Sequence, residues 1–284
     1  MSFPERLHKL DFRWIWAVTL AIVLVSVLFP VALPMGMSGS TRQVIAWIDS
    51  LPKGSVLFIA PEYGPGPDVE LNPQVRAIAI LAFRHGLKLV IGSSGNILGP
   101  QEAETMVAEA AKQAGGGLKY GVNWVNIGYK PGNQEAENEL ERNFTAGSQG
   151  VDLYGKPLAG YPLTRGIRRL DSQYFSGIWA EDTGTPGCID WYANAAVPGK
   201  LPLACGAITM EIPSLQTYVS AGQYKALLHG AAGAAQLEEY ERAPGLGLAT
   251  QEAAAFAAVF IILLVVAGNV AYFGMRRAGG GKSA

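Results

Sequence analysis

The chain has 284 residues, and its 22 Lys and Arg against 23 Asp and Glu leave a formal net charge of −1. A balance this close offers no global field to draw in a polyanion, so nucleic acid is excluded as an expected partner. The length allows one large domain or two small ones, and the 49% hydrophobic content is concentrated at the two ends.

Residues 14–36 (WIWAVTLAIVLVSVLFPVALPMG) carry no charge and are long enough to cross a bilayer. A cleaved signal peptide would have a shorter apolar core and a small-residue cleavage site, so an uncleaved anchor is expected. Residues 253–275 (AAAFAAVFIILLVVAGNVAYFGM) form a second uncharged run of similar length. Arg6, Lys9 and Arg13 precede the first run, and Arg276, Arg277 and Lys282 follow the second. Positive charge stays on the cytoplasmic side, so residues 1–13 and 276–284 are expected to be cytoplasmic tails. Residues 37–250 then lie on the extracytoplasmic side of the membrane, with Trp14, Trp16 and Tyr272 as interfacial anchors.

Between the two spans, short apolar runs alternate with helical patterns. SVLFIA (55–60), KLVIGSS (88–94), VNWVNIGY (122–129), YFSGIWAE (174–181) and ACGAITM (204–210) read as five strands. Helices are expected over 72–86, with Asn72 as N-cap and Pro73 at N1, and over 100–117, 133–147 and 187–197. A long helix is expected over 213–243, broken near Gly222. Alternating strands and helices predict an α/β fold with a mainly parallel, doubly covered, Rossmann-like sheet of about five strands. Residues 148–172 are too long for an ordinary loop and predict a lid, an extra helix around LTRGIRRL, or a contact surface.

Ligands of open parallel sheets bind beyond the carboxyl ends of the strands. At those positions the sequence places Glu62 and Asp68, then Ser93, Ser94 and Asn96, then Lys130, then Glu181 and Asp182, and lastly Glu211. Carboxylates of this kind suit Mg²⁺ or Ca²⁺ better than zinc, and a divalent-metal-dependent hydrolase would use Glu62, Asp68, Glu181, Asp182 and Glu211. The plainer reading is that strand-end loops are polar in any α/β domain and their acids cap helices. GSSGN after the second strand is glycine-rich without being a P-loop or a complete dinucleotide fingerprint. His8, His85 and His229 are the only histidines, none placed beside the serines, so a Ser-His-Asp triad is not expected.

Cys188 and Cys205 lie in the segment predicted to be outside, where a disulfide persists. A ten-residue helix between them would separate their ends by about 15 Å, beyond the roughly 7 Å limit for bridging. Disulfide and free buried thiols therefore both stand. Arg165, Arg168 and Arg169, in a segment (154–170) that also carries Lys156, Tyr154 and Tyr161, are candidates for contact with lipid headgroups or an acidic protein partner; a solvated face is the plainer reading.

KYGVNWVNIGYKPG (119–132) and GQYKALLHGAAGAAQLEEYE (222–241) resemble segments of a group of bacterial and archaeal membrane proteins with no established activity. In that group a similar α/β domain is followed by a C-terminal span. The resemblance implies the architecture and a prokaryotic setting, and no site residues. The function expected from all this is a non-enzymatic accessory or assembly subunit of a membrane protein complex, in contact with lipid and other membrane proteins. The alternatives are a ligand-binding or sensory module and the metal-dependent hydrolase above.

Overall fold

The computed structural model describes residues 11–29, 31 and 33–279, with side chains to residue 274. His8, Arg6, Lys9 and Lys282 lie outside the described residues, as do the side chains of Arg276 and Arg277. Two compact units divide the chain, one of residues 34–247 and one combining residues up to Leu33 with those from Leu248 onward.

The first unit is an α/β domain. Its sheet contains β1 (Val56–Pro61), β2 (Lys88–Ser93), β3 (Trp124–Tyr129), β4 (Gly177–Asp182), β5 (Leu203–Ala207) and β6 (Tyr224–His229). All neighbours pair in parallel, in the order β3-β2-β1-β4-β5-β6. The chain winds outward from β1 in one direction and from β4 in the other, so helices cover both faces. Side chains alternate between two cores. Leu57, Ile59, Leu89, Ile91 and Trp179 pack under α2 (Gly39–Ser50), α3 (Asp68–His85), α4 (Gly99–Gln113) and α10 (Gly230–Tyr240). Phe58, Ala60, Val90, Ile178 and Ala180 pack under α5 (Gln134–Arg142), α6 (Phe144–Gly147), α7 (Cys188–Trp191) and their neighbours.

Several expectations are corrected. The long helix expected over 213–243 is instead α9 (Ile212–Ser220), β6 and α10. Gly222 at φ +74° ends the first helix, and β5 offers an open edge that Tyr224–His229 completes; pairing overrides the helical propensity of Ala and Leu. Helix α3 starts at Asp68 rather than Pro73, because a proline so near a helix start removes little hydrogen bonding. The short helix after Gly187 is α7, a π-helical turn (Tyr192–Ala196) and α8 (Val197–Gly199).

No helix forms around LTRGIRRL. Residues 148–172 contain only a 3₁₀ turn at Leu158–Gly160 and run beside edge strand β3, where Leu153 donates its N–H to the Asn126 carbonyl at 2.8 Å. Buried Asp152 organises this segment. It accepts from the N–H groups of Tyr154 and Lys156 and from the hydroxyls of Tyr120 and Tyr161.

One helix, α10, also fixes both chain connections of the α/β domain. Its Glu239 and Gln236 accept from Met35 N–H and Ser38 N–H, and its Glu238 accepts from Gly245 N–H. Arg76 of α3 is buried beside Glu238 and donates to the carbonyls of Ala243 and Pro244.

The second unit contains α1 (Phe12–Leu28) and nearly all of α11 (Leu246–Gly279). Within α11, the 29 residues Leu246–Gly274 are long and apolar enough to cross a membrane, with mean hydropathy 2.5 in their most apolar window. The first expected span is shorter in helical form, at 17 residues, since the chain leaves the helix at Phe29, just before Pro30. Past that break, Glu252 accepts from the N–H groups of Val31 and Leu33 at 2.8 and 2.6 Å. The large apolar side chains of both helices are mostly exposed, and a groove of about 600 Å³ between them is lined by Ile22, Val25, Phe29, Phe256 and Leu263 among others.

Candidate functional site

The carboxyl ends of β1 and β4 lie side by side at the point where the winding reverses, with Pro61 in register with Glu181. In this fold class that crevice receives ligands. Here it receives Glu62. Buried at 3% exposure, its carboxylate accepts from Ser93 Oγ (2.7 Å), Ser94 N–H (2.8 Å), Ser94 Oγ (3.2 Å), Gly95 N–H (3.0 Å) and Trp191 Nε1 (2.8 Å). The glycine-rich turn after β2 thus aims its backbone N–H groups at an anion, and the anion is the protein's own. Burial pushes the Glu62 pKa up, and these donors pull it back. Gly95 is required by close approach. A Cβ there would fall 1.8 Å from the Pro186 ring and 3.1 Å from Glu62 Oε2, so the β2 and β4 loops interlock over the carboxylate.

Ser94 Oγ also lies 2.7 Å from Glu137 Oε1 of α5, and Asn194 Nδ2 donates to the other oxygen of Glu137 at 2.9 Å. Glu137 is fully buried. Burial lifts its pKa to about 7, helped by the charges of Glu62 and Asp190. Reading strand ends alone passes over this residue, because it comes from a helix. The available signal was periodicity, since Glu137 and Glu141 fall on the same buried face as Ala136 and Leu140.

Glu181 and Asp182 point to opposite faces of β4. Glu181 accepts from Trp179 Nε1 at 2.6 Å, while its Oε2 has no partner, and neither has Gln74 Oε1. Both oxygens lie 2.5 Å from where a Cβ on Gly206 would stand, so they face one another across that glycine. Two acceptors that face one another can be satisfied when one carries a proton. Burial raises the Glu181 pKa well above the ordinary carboxylate range, and the neutral acid can donate to Gln74.

Asp182 accepts from Gly184 N–H and Cys188 N–H at 2.9 and 2.6 Å, and burial lifts its pKa to about 6. Cys188 and Cys205 form a disulfide with Cα atoms 6.1 Å apart. The expected separation fails for a simple reason: Cys205 is not at the start of β5 but is its third residue, in register with Ala180. Asp182 lies within 4.8 Å of both sulfurs, a spacing that would suit a metal if the thiols were free, but bonded sulfurs are not thiolate ligands.

The remaining candidates serve their own loops. Asp68 accepts from Gly66 N–H, Asn96 Oδ1 from Leu98 N–H, and Glu211 from Ser214 Oγ. Glu62, Asp68, Glu181, Asp182 and Glu211 do not gather into a shared set of oxygen ligands among the described residues. Lys130 is buried, with its pKa lowered by burial and partly restored by the charge of Asp152. Arg169 is held by Glu141 and Asp171, whereas Arg165 and Arg168 are exposed with no ion pair among the described residues.

Beside the interlocked loops is a polar cleft of about 290 Å³ lined by Asn133, Gln134, Glu135, Thr185, Pro186 and Asp190. The chain matches no protein-family model, and it matches neither a curated protein nor a solved structure.

Proposed function

We propose that this chain is a non-enzymatic accessory subunit of a prokaryotic membrane protein complex, an α/β module presented on the outer face of the cytoplasmic membrane with both termini inside. The observation that carries the reading is the Glu62 cradle. The position where this fold class holds a ligand's anion is filled by an internal carboxylate with five hydrogen bonds, which makes the crevice a rigid part of the scaffold. The uncovered apolar helix α11 supports membrane attachment. The buried Cys188–Cys205 disulfide supports an oxidising compartment.

Arg165 and Arg168, exposed and uncommitted to internal ion pairs, are the partner-facing residues in this reading, for an acidic protein or anionic headgroups. The test is affinity purification of the full chain from native membranes in mild detergent, with native mass and identification of co-purifying proteins. Arg165→Glu with Arg168→Glu should reduce the partner's yield and leave the melting temperature within about 1–2 °C of the parent, as surface changes usually do. An unchanged assembly would remove these arginines from the interface, and a chain that runs alone would defeat the subunit reading.

A second reading, a small-ligand or cation sensor, is favoured by the polar cleft beside Asp190. It expects Mg²⁺ or Ca²⁺ to raise the melting temperature, and Glu135→Gln with Asp190→Asn to abolish that gain.

A further inference from the structure

Ser94 stands between two buried carboxyl groups and has one hydroxyl proton to give. Its Oγ lies 2.7 Å from Glu137 Oε1 and 3.2 Å from Glu62 Oε1. Glu62 already accepts from four other donors, as an ionised carboxylate does. Glu137 has only Asn194 on its second oxygen. All these contacts are satisfied together when Glu137 carries a proton and donates it to Ser94 Oγ, leaving the Ser94 hydrogen free to point at Glu62. Without that proton, Ser94 can serve only one carboxylate, and two like charges share a dry site.

We propose that Glu137, Ser94 and Glu62 form a one-proton latch that fastens α5 and the rim of the polar cleft to the loops after β1 and β2. The latch is closed in mild acid and loosened at neutral pH and above. It ties four parts of the chain: Glu62 follows β1, Ser94 follows β2, Glu137 belongs to α5, and Asn194 belongs to the π-helical turn. The groups whose charge acts on Glu137 are Glu62 and Asp190 of α7, while Tyr192 belongs to the π-helical turn packed against α5 and α6 contributes no titratable group. The segment 168–171 also packs on α5, and its Arg169 is taken up by Glu141 and Asp171. Asp190 is itself bonded to Gln134 Nε2 and Gly187 N–H. The two groups that act on Glu137 are both acids, so neither offsets the charge that Glu137 gains on losing its proton.

The direction of the pH effect follows from the shift. Glu137 titrates near 7 in the folded state against an ordinary value of 4.5. Its favourable contribution is therefore complete below about pH 4.5, declines as pH rises, and is gone above about pH 7.

Hydrogen–deuterium exchange of the full chain in detergent micelles tests this, with rates corrected for the intrinsic effect of pH. Peptides covering α5 should lose protection between about pH 5 and pH 7.5, by up to about tenfold per pH unit, and level off above. Peptides covering β6 report any general change. In Glu137→Gln the introduced amide can donate to Ser94 without titrating, so the extra slope of α5 should disappear. In Ser94→Ala the acceptor of the Glu137 proton is lost, which disfavours the protonated form, so the levelling-off should move to lower pH. Equal slopes for α5 in the parent and Glu137→Gln, or no slope specific to α5 in the parent, would overturn the latch. Should Glu137→Gln fail to fold, Ser94→Ala decides alone: a downward move supports the latch, and an unmoved or upward profile refutes it.

Discussion

At Gly206 two unpartnered oxygens, Gln74 Oε1 and Glu181 Oε2, converge on the space a side chain would occupy. A neutral Glu181 predicts an uneven pair of substitutions. Glu181→Gln supplies an N–H to Gln74 and should cost less than about 1 kcal/mol, whereas Glu181→Ala leaves Gln74 unmet and opens a void, costing roughly 2–4 kcal/mol. Gly206→Ala drives a methyl into both oxygens and should cost about 1–3 kcal/mol. Denaturant titration of the three variants measures the order. Equal losses in the two Glu181 variants would mean that the proton is elsewhere. Position alone identified Glu62, Ser93 and Ser94 as strand-end residues, but not what they do for one another. That Glu62 would turn inward onto the GSSG loop depends on the Trp191 indole arriving from a helix 129 residues later, which no local pattern encodes.

At the scale of elements, the strands whose flanks are punctuated by turn residues were readable, and β6 was not. Its sequence YKALLH forms a helix as readily as a strand, and only the open side of β5 decides the matter. The disulfide was hidden by the same kind of non-local fact, namely how far into β5 the residue Cys205 sits. The bridge closes a segment with sequence separation 17 and joins α7 to β5 under the Asp182 loop. Replacing both cysteines by serine should lower unfolding stability by roughly 3 kcal/mol, through greater freedom of the unfolded chain. Parallel equilibrium unfolding of the parent and the double variant checks this, and a loss below about 1 kcal/mol would show that the buried neighbours already hold α7 in place. The arginine-rich segment teaches a related lesson. Arg165, Arg168 and Arg169 look alike in sequence, yet only Arg169 reaches a buried carboxylate, and that choice is made by where Glu141 faces on α5.

For the whole molecule, the apolar run near the C-terminus announces itself, because length and hydropathy suffice to identify it. The helical extent of the N-terminal run was less readable, since proline positions and apolar length pull in different directions. The edges of the α/β unit are also wider than the strand pattern indicates. A soluble version spanning residues 34–247 keeps the bonds from Met35 and Ser38 to α10, whereas one starting at Ser40 loses both. The longer version should be more stable by roughly 1–2 kcal/mol, read as a rise of a few degrees in melting temperature.

The grip of α10 on both connections has a consequence for how such a protein can be rebuilt. Met35, Ser38 and Gly245 all bond to residues 236–239, about one helical turn. Entrance and exit of the α/β unit therefore open side by side, as on a cassette with a single socket. Such a unit can be spliced into a surface loop of an unrelated host, or have its two ends joined and new ones cut elsewhere, without stretching its sheet.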